Sequence, residues 1–201
     1  MEIKELQQLA KEITSRPGKV RGEVYRTHAE YIKYKEGDGA IEKVEKKMKE
    51  LGVPIKFDKM KPFEWTNEGS SALAIIVAKE IFNWTEDDIY EMGRFSPKVS
   101  FFLKVIIQYF VSMDRVLKEA SKYWKKHFDF GSLEVVDFNE KEKRILMRVS
   151  GFDTHPLICR YHAGYFHGVT EFAVKSEDIK VEETSCLYRG DDYHEYLITW
   201  V

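Results

Sequence analysis

The chain has 201 residues, 43% of them hydrophobic, 33% charged and 14% aromatic, and its 32 basic and 34 acidic side chains give a net charge of -2. A balance this close to neutral excludes a protein whose main work is coating nucleic acid or an anionic membrane. The length allows one generous domain or two small ones, each with a core that needs no disulfide staples. The two cysteines, Cys159 and Cys186, are too few for a secreted disulfide framework and leave three readings: one bridge, two buried thiols, or half of a metal site.

The N-terminus, MEIKELQQLAKEI, alternates charge with apolar residues and lacks the unbroken apolar stretch of a signal peptide, so a cytoplasmic protein is expected. The spacing predicts helices over 2–14, 22–35 and 39–51, the last stopped by Gly52 before Pro54, and a short extended piece at 55–57. A helix over 68–82 follows. Asn83-Trp84-Thr85 matches a glycosylation sequon, but without a secretion signal Thr85 reads as a helix cap, with Glu86, Asp87 and Asp88 in the first turn. Helices are predicted over 86–94 and 97–111, the second opened by Ser96 as cap and Pro97 at its first position. The run 101–111 contains Lys104 and Gln108 and falls short of the roughly 20 residues that cross a bilayer, so it reads as a buried helix. The helix predicted over 113–127 spaces Val116, Leu117, Ala120 and Trp124 along one face.

After Gly131 the period changes from helical to alternating. Strands are predicted over 132–138 and 144–149, a helix over 154–173 with Pro156 in its first turn, and strands over 179–187 and 193–200 around Arg189-Gly190-Asp191-Asp192. No internal repeat or linker interrupts the chain, so residues 1–201 read as a single domain. The order of helices, hairpin, helix, hairpin describes an α+β fold: a helical N-terminal part packed on an antiparallel sheet formed from two hairpins flanking a long helix.

Residues able to ligate a metal crowd into the last quarter, where four of the six histidines, His155, His162, His167 and His194, lie with both cysteines. At 100° per residue, His155, Cys159 and His162 fall on one helical face. Glu183, Cys186 and His194 sit around the last hairpin turn. Thiolate, imidazole and carboxylate are the ligands zinc takes in a tetrahedron, and such a site would tie the helix to the sheet. The plain reading stands beside it: a buried cysteine is usually a small hydrophobe, and no paired CxxC motif is present.

Cys159-x4-Gly164-Tyr165-x2-Gly168, Glu183-x2-Cys186 and Gly190-Asp191-Asp192-Tyr193-His194-Glu195-Tyr196 resemble the C-terminal signature of the 4-vinyl-reductase-like domain family. That family belongs to the superfamily of ligand-binding domains in nitric-oxide signalling and Golgi transport. The resemblance covers about the last 50 residues and implies a structural zinc held by Cys159, Glu183, Cys186 and His194, the histidine standing where the family has its last cysteine. It also implies a sensor-like domain with an apolar pocket for an aromatic or hydrocarbon-like ligand, pairing as a homodimer through its helices and signalling, if at all, through a protein partner. Two other roles follow from the same resemblance: an enzyme or accessory protein of tetrapyrrole vinyl reduction, or an interaction scaffold like those of trafficking complexes.

The aromatic residues Phe101, Phe102, Tyr109, Phe110, Trp124, Phe128, Phe130, Tyr165, Phe166 and Phe172 suit either a core or such a pocket. The nearest approach to the Tyr-x-Ser-x-Arg motif of heme-based nitric-oxide sensors is Tyr90-Glu91-Met92-Gly93-Arg94, which lacks the serine, so the sequence does not point to heme. Gly37-Asp38-Gly39 has no third glycine and follows no strand, so no nucleotide loop is read there. From Glu171 to Glu195 there are 8 acidic and 3 basic residues, a sign that disfavours nucleic acid. No nucleophile, base and orienting group can be assembled from spacing, so nothing here supports an enzyme directly.

Overall fold

The computed structural model describes residues 3–100, 113–174, 176 and 178–201, with side chains except at 113–116. Helix α1 (Ile3–Ser15) sets Leu6, Ala10 and Ile13 on one stripe and buries it against α4 (Glu68–Phe82). In α4 every residue from Ser71 to Ala78 is buried, which is what an apolar helix without a polar face must do. Its start is fixed by Asn67, whose side chain accepts from the Ser70 N–H at 2.8 Å. Helices α2 (Gly22–Glu36) and α3 (Ala40–Glu50) complete the N-terminal layer. A two-stranded antiparallel ribbon, β1 (Lys19–Arg21) with β2 (Trp65–Asn67), ties the starts of α2 and α4 together. Three residues per strand are too few to display a period, and the sequence gives no sign of this ribbon.

Helix α5 (Glu86–Val99) opens with the expected cap: the Asp88 N–H donates to the Thr85 hydroxyl at 3.3 Å, and the Thr85 N–H donates to the Asp88 carboxylate at 2.7 Å. The predicted break at Ser96-Pro97 is corrected. One helix runs to Val99 with Pro97 in its last turn, and the Ser96 hydroxyl donates back to the Met92 carbonyl at 3.0 Å instead of capping a new helix. The predicted helix over 97–111 otherwise lies outside the described residues, as do Phe101, Phe102, Tyr109 and Phe110. Helix α6 (Met113–His127) leads into the sheet.

The sheet has the order β3-β4-β6-β5 and is antiparallel throughout, from β3 (Ser132–Asn139), β4 (Arg144–Ser150), β5 (Ile179–Ser185) and β6 (His194–Trp200). The expected α+β architecture is therefore present. Ile145, Met147 and Val149 of β4 and His194, Tyr196 and Ile198 of β6 are buried, and the register pairs Val149 with His194 and Met147 with Tyr196. Strand β5 is shorter than predicted because its register shifts between Glu183 and Ser185 and a short 3-10 turn takes Leu187–Arg189.

Helix α7 (Pro156–Ala173) lies between the sheet and α5, and three glycines set its position. A Cβ on Gly164 would collide with the Tyr90 carbonyl oxygen, one on Gly93 with that of Tyr161, and one on Gly168 with that of Arg94. The two helices thus touch backbone to backbone, which holds the residues of α7 at fixed places against both the helical layer and the sheet. No helix among the described residues is long and apolar enough to cross a membrane.

Candidate metal centre and internal cavity

The first turn of α7 brings Cys159 to the β5–β6 hairpin. Its Sγ lies 4.0 Å from the Cys186 Sγ and 3.5 Å from His194 Nδ1, and Glu183 Oε1 lies 3.2 Å from the same nitrogen. One ligand atom from each of Cys159, Glu183, Cys186 and His194 falls within 4.8 Å of all the others. The hairpin is shaped for this: the Cys186 N–H donates to Asp191 Oδ2 at 2.7 Å, Gly190 takes a φ of 97°, and the Arg189 guanidinium donates to the Glu183 carbonyl at 3.0 Å. His194 Nε2 donates to the Phe152 carbonyl at 2.9 Å. That bond orients the ring so that Nδ1 faces the Cys159 thiol and the Glu183 carboxylate.

Burial pushes the Cys159 thiol far up, helped by the Glu183 charge and the Cys186 thiol. Burial also works to raise the Glu183 carboxyl, but hydrogen bonds from His194 and Cys186 outweigh it and leave the group below its ordinary value. With protonated thiols the four side chains hydrogen-bond among themselves, so the cluster is satisfied without an ion. With deprotonated thiols it is a mixed S, N, O donor set of the kind borderline-soft ions take.

The helical face expected to join His155, Cys159 and His162 does not converge. His155 is the N-cap of α7, its Nδ1 accepting from the Leu157 N–H at 3.1 Å. His167 Nδ1 lies 2.6 Å from the Tyr90 hydroxyl and its other nitrogen 3.4 Å from Glu171. His162 is buried among rings, with centroids 4.8 Å from Phe152 and 5.6 Å from Trp124. Burial, with the His194 charge adding, lowers its pKa to about 3, so the ring is neutral.

His162 also borders the second feature, a partly open cavity of ≈ 70 Å³ bounded by α2, α5, α6, α7 and β3. Hydroxyls line it. The Tyr161 hydroxyl lies 2.8 Å from the Ser96 hydroxyl, and the Ser100 hydroxyl donates to Glu23 Oε1 at 3.0 Å. Tyr123 hydrogen-bonds to Ser100 and Tyr165. Burial pushes Tyr123 and Tyr161 up to about 12 and Tyr165 higher still, which keeps all three protonated. Trp124, Phe128 and Leu133 are among the residues of its apolar surface. Sequence reasoning named Trp124, Phe128, Tyr165 and His162 without placing them together and missed Ser96, Ser100, Tyr123, Tyr161 and Glu23. Hydroxyl residues spread over helices carry no spacing signal.

No family model matches the chain, and no curated protein matches it. Solved structures do. An H-NOX protein from S. oneidensis in the Fe(II)NO ligation state superposes with a TM-score of 0.69 at 12% identity, covering 90% of this chain and 99% of that one. The fold is that of the H-NOX domains. An oxygen-binding H-NOX domain related to soluble guanylate cyclases, in its oxygen complex, gives 0.60 at 15% identity over 87% of this chain and 91% of its own. A structure described as modulating heme redox potential through protein-induced porphyrin distortion gives 0.62 at 17% identity, over 90% and 99%.

Two expectations are corrected by these findings. The resemblance to the 4-vinyl-reductase-like family is not sustained, since no family model matches and the structural neighbours are H-NOX domains. The structural zinc loses its ground with it. The neighbours are described by iron and heme, and the cluster that was to hold zinc closes on its own hydrogen bonds.

Proposed function

We propose that residues 1–201 act as one small-molecule-binding, sensor-like domain that takes its ligand into the cavity bordered by Ser96, Tyr123, Tyr161 and Tyr165. The observation that carries this reading is a small, mainly apolar cavity between the helices with a few hydroxyls at its edge, in a fold whose solved examples are described in complexes with nitric oxide and oxygen. The tetrapyrrole-reduction and trafficking-scaffold roles rested on the discarded resemblance and fall away.

The neighbours' heme does not fit these residues. Pockets for drug-sized ligands occupy ~300–1,000 Å³, against ≈ 70 Å³ here. Five imidazoles are engaged or enclosed elsewhere: His127 against the Tyr123 carbonyl at 3.1 Å, His155 as cap, His167 on Tyr90, His194 in the cluster, and His28 edge-on to Tyr161 with centroids 5.4 Å apart. The expected apolar pocket for an aromatic ligand is corrected on the same ground. The walls are mainly apolar, as expected, but a cavity that accepts benzene measures about 150 Å³, against ≈ 70 Å³ here.

In the same proposal, Cys159, Glu183, Cys186 and His194 are metal ligands where α7 meets the β5–β6 hairpin. The support is the convergence of the four donor atoms and the Phe152 carbonyl that orients His194. Elemental analysis of protein purified without added metal should find about one equivalent of a transition metal, lost in Cys186→Ala. A metal-free protein that Co(II) leaves colourless sinks this part. Pairing of two copies through the helices and a cytoplasmic setting belong to the proposal as well, and a light-scattering mass of a single chain removes the pairing.

A thermal-shift screen of compact molecules tests the ligand reading. Stabilising compounds should act on the wild type and lose their effect in Ser96→Leu, which fills the cavity. A screen with no difference between the two proteins ends it.

A further inference from the structure

We infer that Tyr90 is a one-electron donor whose phenol proton passes to His167 as the electron leaves. A chain of side chains between α5 and α7 carries the inference. The Tyr90 hydroxyl of α5 lies 2.6 Å from His167 Nδ1 on α7, and His167 Nε2 lies 3.4 Å from Glu171 Oε1. Glu171 is held in turn by the Arg94 Nε–H at 2.8 Å and by Lys98 Nζ at 3.2 Å. Burial works to raise the Glu171 carboxyl, but hydrogen bonds from Arg94 and Lys98 outweigh it and keep the group ionised, able only to accept. Burial, with the Arg94 charge adding and the Glu171 charge opposing, lowers the pKa of His167, so its ring is neutral. A proton on Nδ1 of that ring would turn the Nε2 lone pair onto the carboxylate. With the proton on Nε2 instead, Nδ1 accepts from Tyr90.

The acceptor sets Tyr90 apart from other phenols. Tyr25, Tyr31 and Tyr196 donate to the carbonyls of Asn67, Asp88 and Cys159, which take up no proton near neutral pH. An imidazole does, and it stands within reach of a direct transfer. Burial raises the Tyr90 pKa against the opposing charges of Arg160 and Arg94, so the phenol keeps its proton until it is oxidised. In the step itself the Tyr90 O–H bond breaks and the proton goes to His167 Nδ1. The electron goes to an outer-sphere one-electron oxidant, a small radical or a high-potential metal complex, which is reduced by one unit. The products are a neutral tyrosyl radical and an imidazolium beside the Glu171 carboxylate, and a one-electron reductant with return of the proton restores the start. Backbone contacts fix the distance: a Cβ on Gly164 would strike the Tyr90 carbonyl oxygen and one on Gly168 that of Arg94, so the two helices cannot close further here. The side chains of His167 and Glu171 are 11% and 21% exposed, which sets the relay close to the surface, where an electron leaves without any channel to the phenol oxygen.

The test is flash oxidation of the full chain by photogenerated tris(bipyridine)ruthenium(III), with the tyrosyl radical followed by absorption and, after freezing, by electron paramagnetic resonance. The wild type should give a radical signal that is lost in Tyr90→Phe. A signal of equal size in that variant overturns the inference, since another of the 11 tyrosines is then the donor. In His167→Ala the oxidation should slow about 100-fold, the low end of what a positioned base contributes, and free imidazole should restore part of the rate. An unchanged rate in His167→Ala overturns the proton transfer to that ring. Should the variant fail to fold, the wild type in heavy water decides the matter: slower oxidation than in light water is expected, and equal rates overturn the inference.

Discussion

Helix α7 carries two buried polar regions that differ in what lies between their atoms. At its first turn Cys159 meets Glu183, Cys186 and His194 with ligand atoms inside 4.8 Å of one another. Within the next two turns Tyr161, His162 and Tyr165 border ≈ 70 Å³ of open space. The first region is made by atoms converging on a point, the second by walls held apart. A point needs four residues at fixed positions on one helix turn and one hairpin. Walls take one to three residues from each of four helices and a strand, and their surface is mainly apolar.

The largest expected effect comes from disturbing the element the two regions share. Gly164→Ala forces a methyl group against the Tyr90 carbonyl oxygen and drives α7 away from α5. A loss of about 3 kcal/mol, the scale of overpacking at a rigid contact, should appear in the denaturant midpoint. Metal retention and ligand binding should weaken together. If only one of them changes, α7 does not couple the two regions.

A smaller effect separates them by acidity. His28 packs against Tyr161 behind the cavity wall, has no hydrogen-bond partner for either ring nitrogen among the described residues, and has its pKa lowered by burial to about 3. The folded value lies below the unfolded one, so its contribution is present above about pH 6.5 and is lost as pH falls toward about 3. By pH 4.5 the loss is about 2.7 kcal/mol. The stability of His28→Phe should fall less steeply between pH 6.5 and 4.5 than that of the wild type, and parallel slopes would mean the ring is not held neutral. The smallest effect is a control. Thr85→Ala removes the cap of α5 at a cost of about 1 kcal/mol and should leave both metal content and ligand response unchanged.

Much of the fold is legible because its elements are long and periodic. Leu6, Ala10 and Ile13 announce α1, the Thr85 box announces α5, and the alternation of Arg144–Ser150 announces β4. The break at Pro97 is misread because the helix runs on through the proline to Val99, with the Ser100 N–H still donating to the Ser96 carbonyl at 3.0 Å. The cluster is legible in part: the hairpin turn gathers Glu183, Cys186 and His194, while Cys159 joins them in the sequence reading only through the family resemblance. His155 is misassigned because a histidine at a helix start serves as a cap as readily as a ligand. The cavity is not legible, because Ser96, Ser100, Tyr123 and Tyr161 meet only through tertiary packing, and the direction of the Ser96 proton is fixed by the Met92 carbonyl. Short motifs near the cluster also suggest a family that the whole fold does not sustain.

Hemin offered to the purified chain and followed by absorption distinguishes a compact-guest domain from a heme protein of the same fold. The size and walls of the cavity predict no equimolar complex and no Soret band beyond that of free or weakly adsorbed hemin. An equimolar complex with the spectrum of imidazole-ligated iron, lost in His162→Ala, would contradict it.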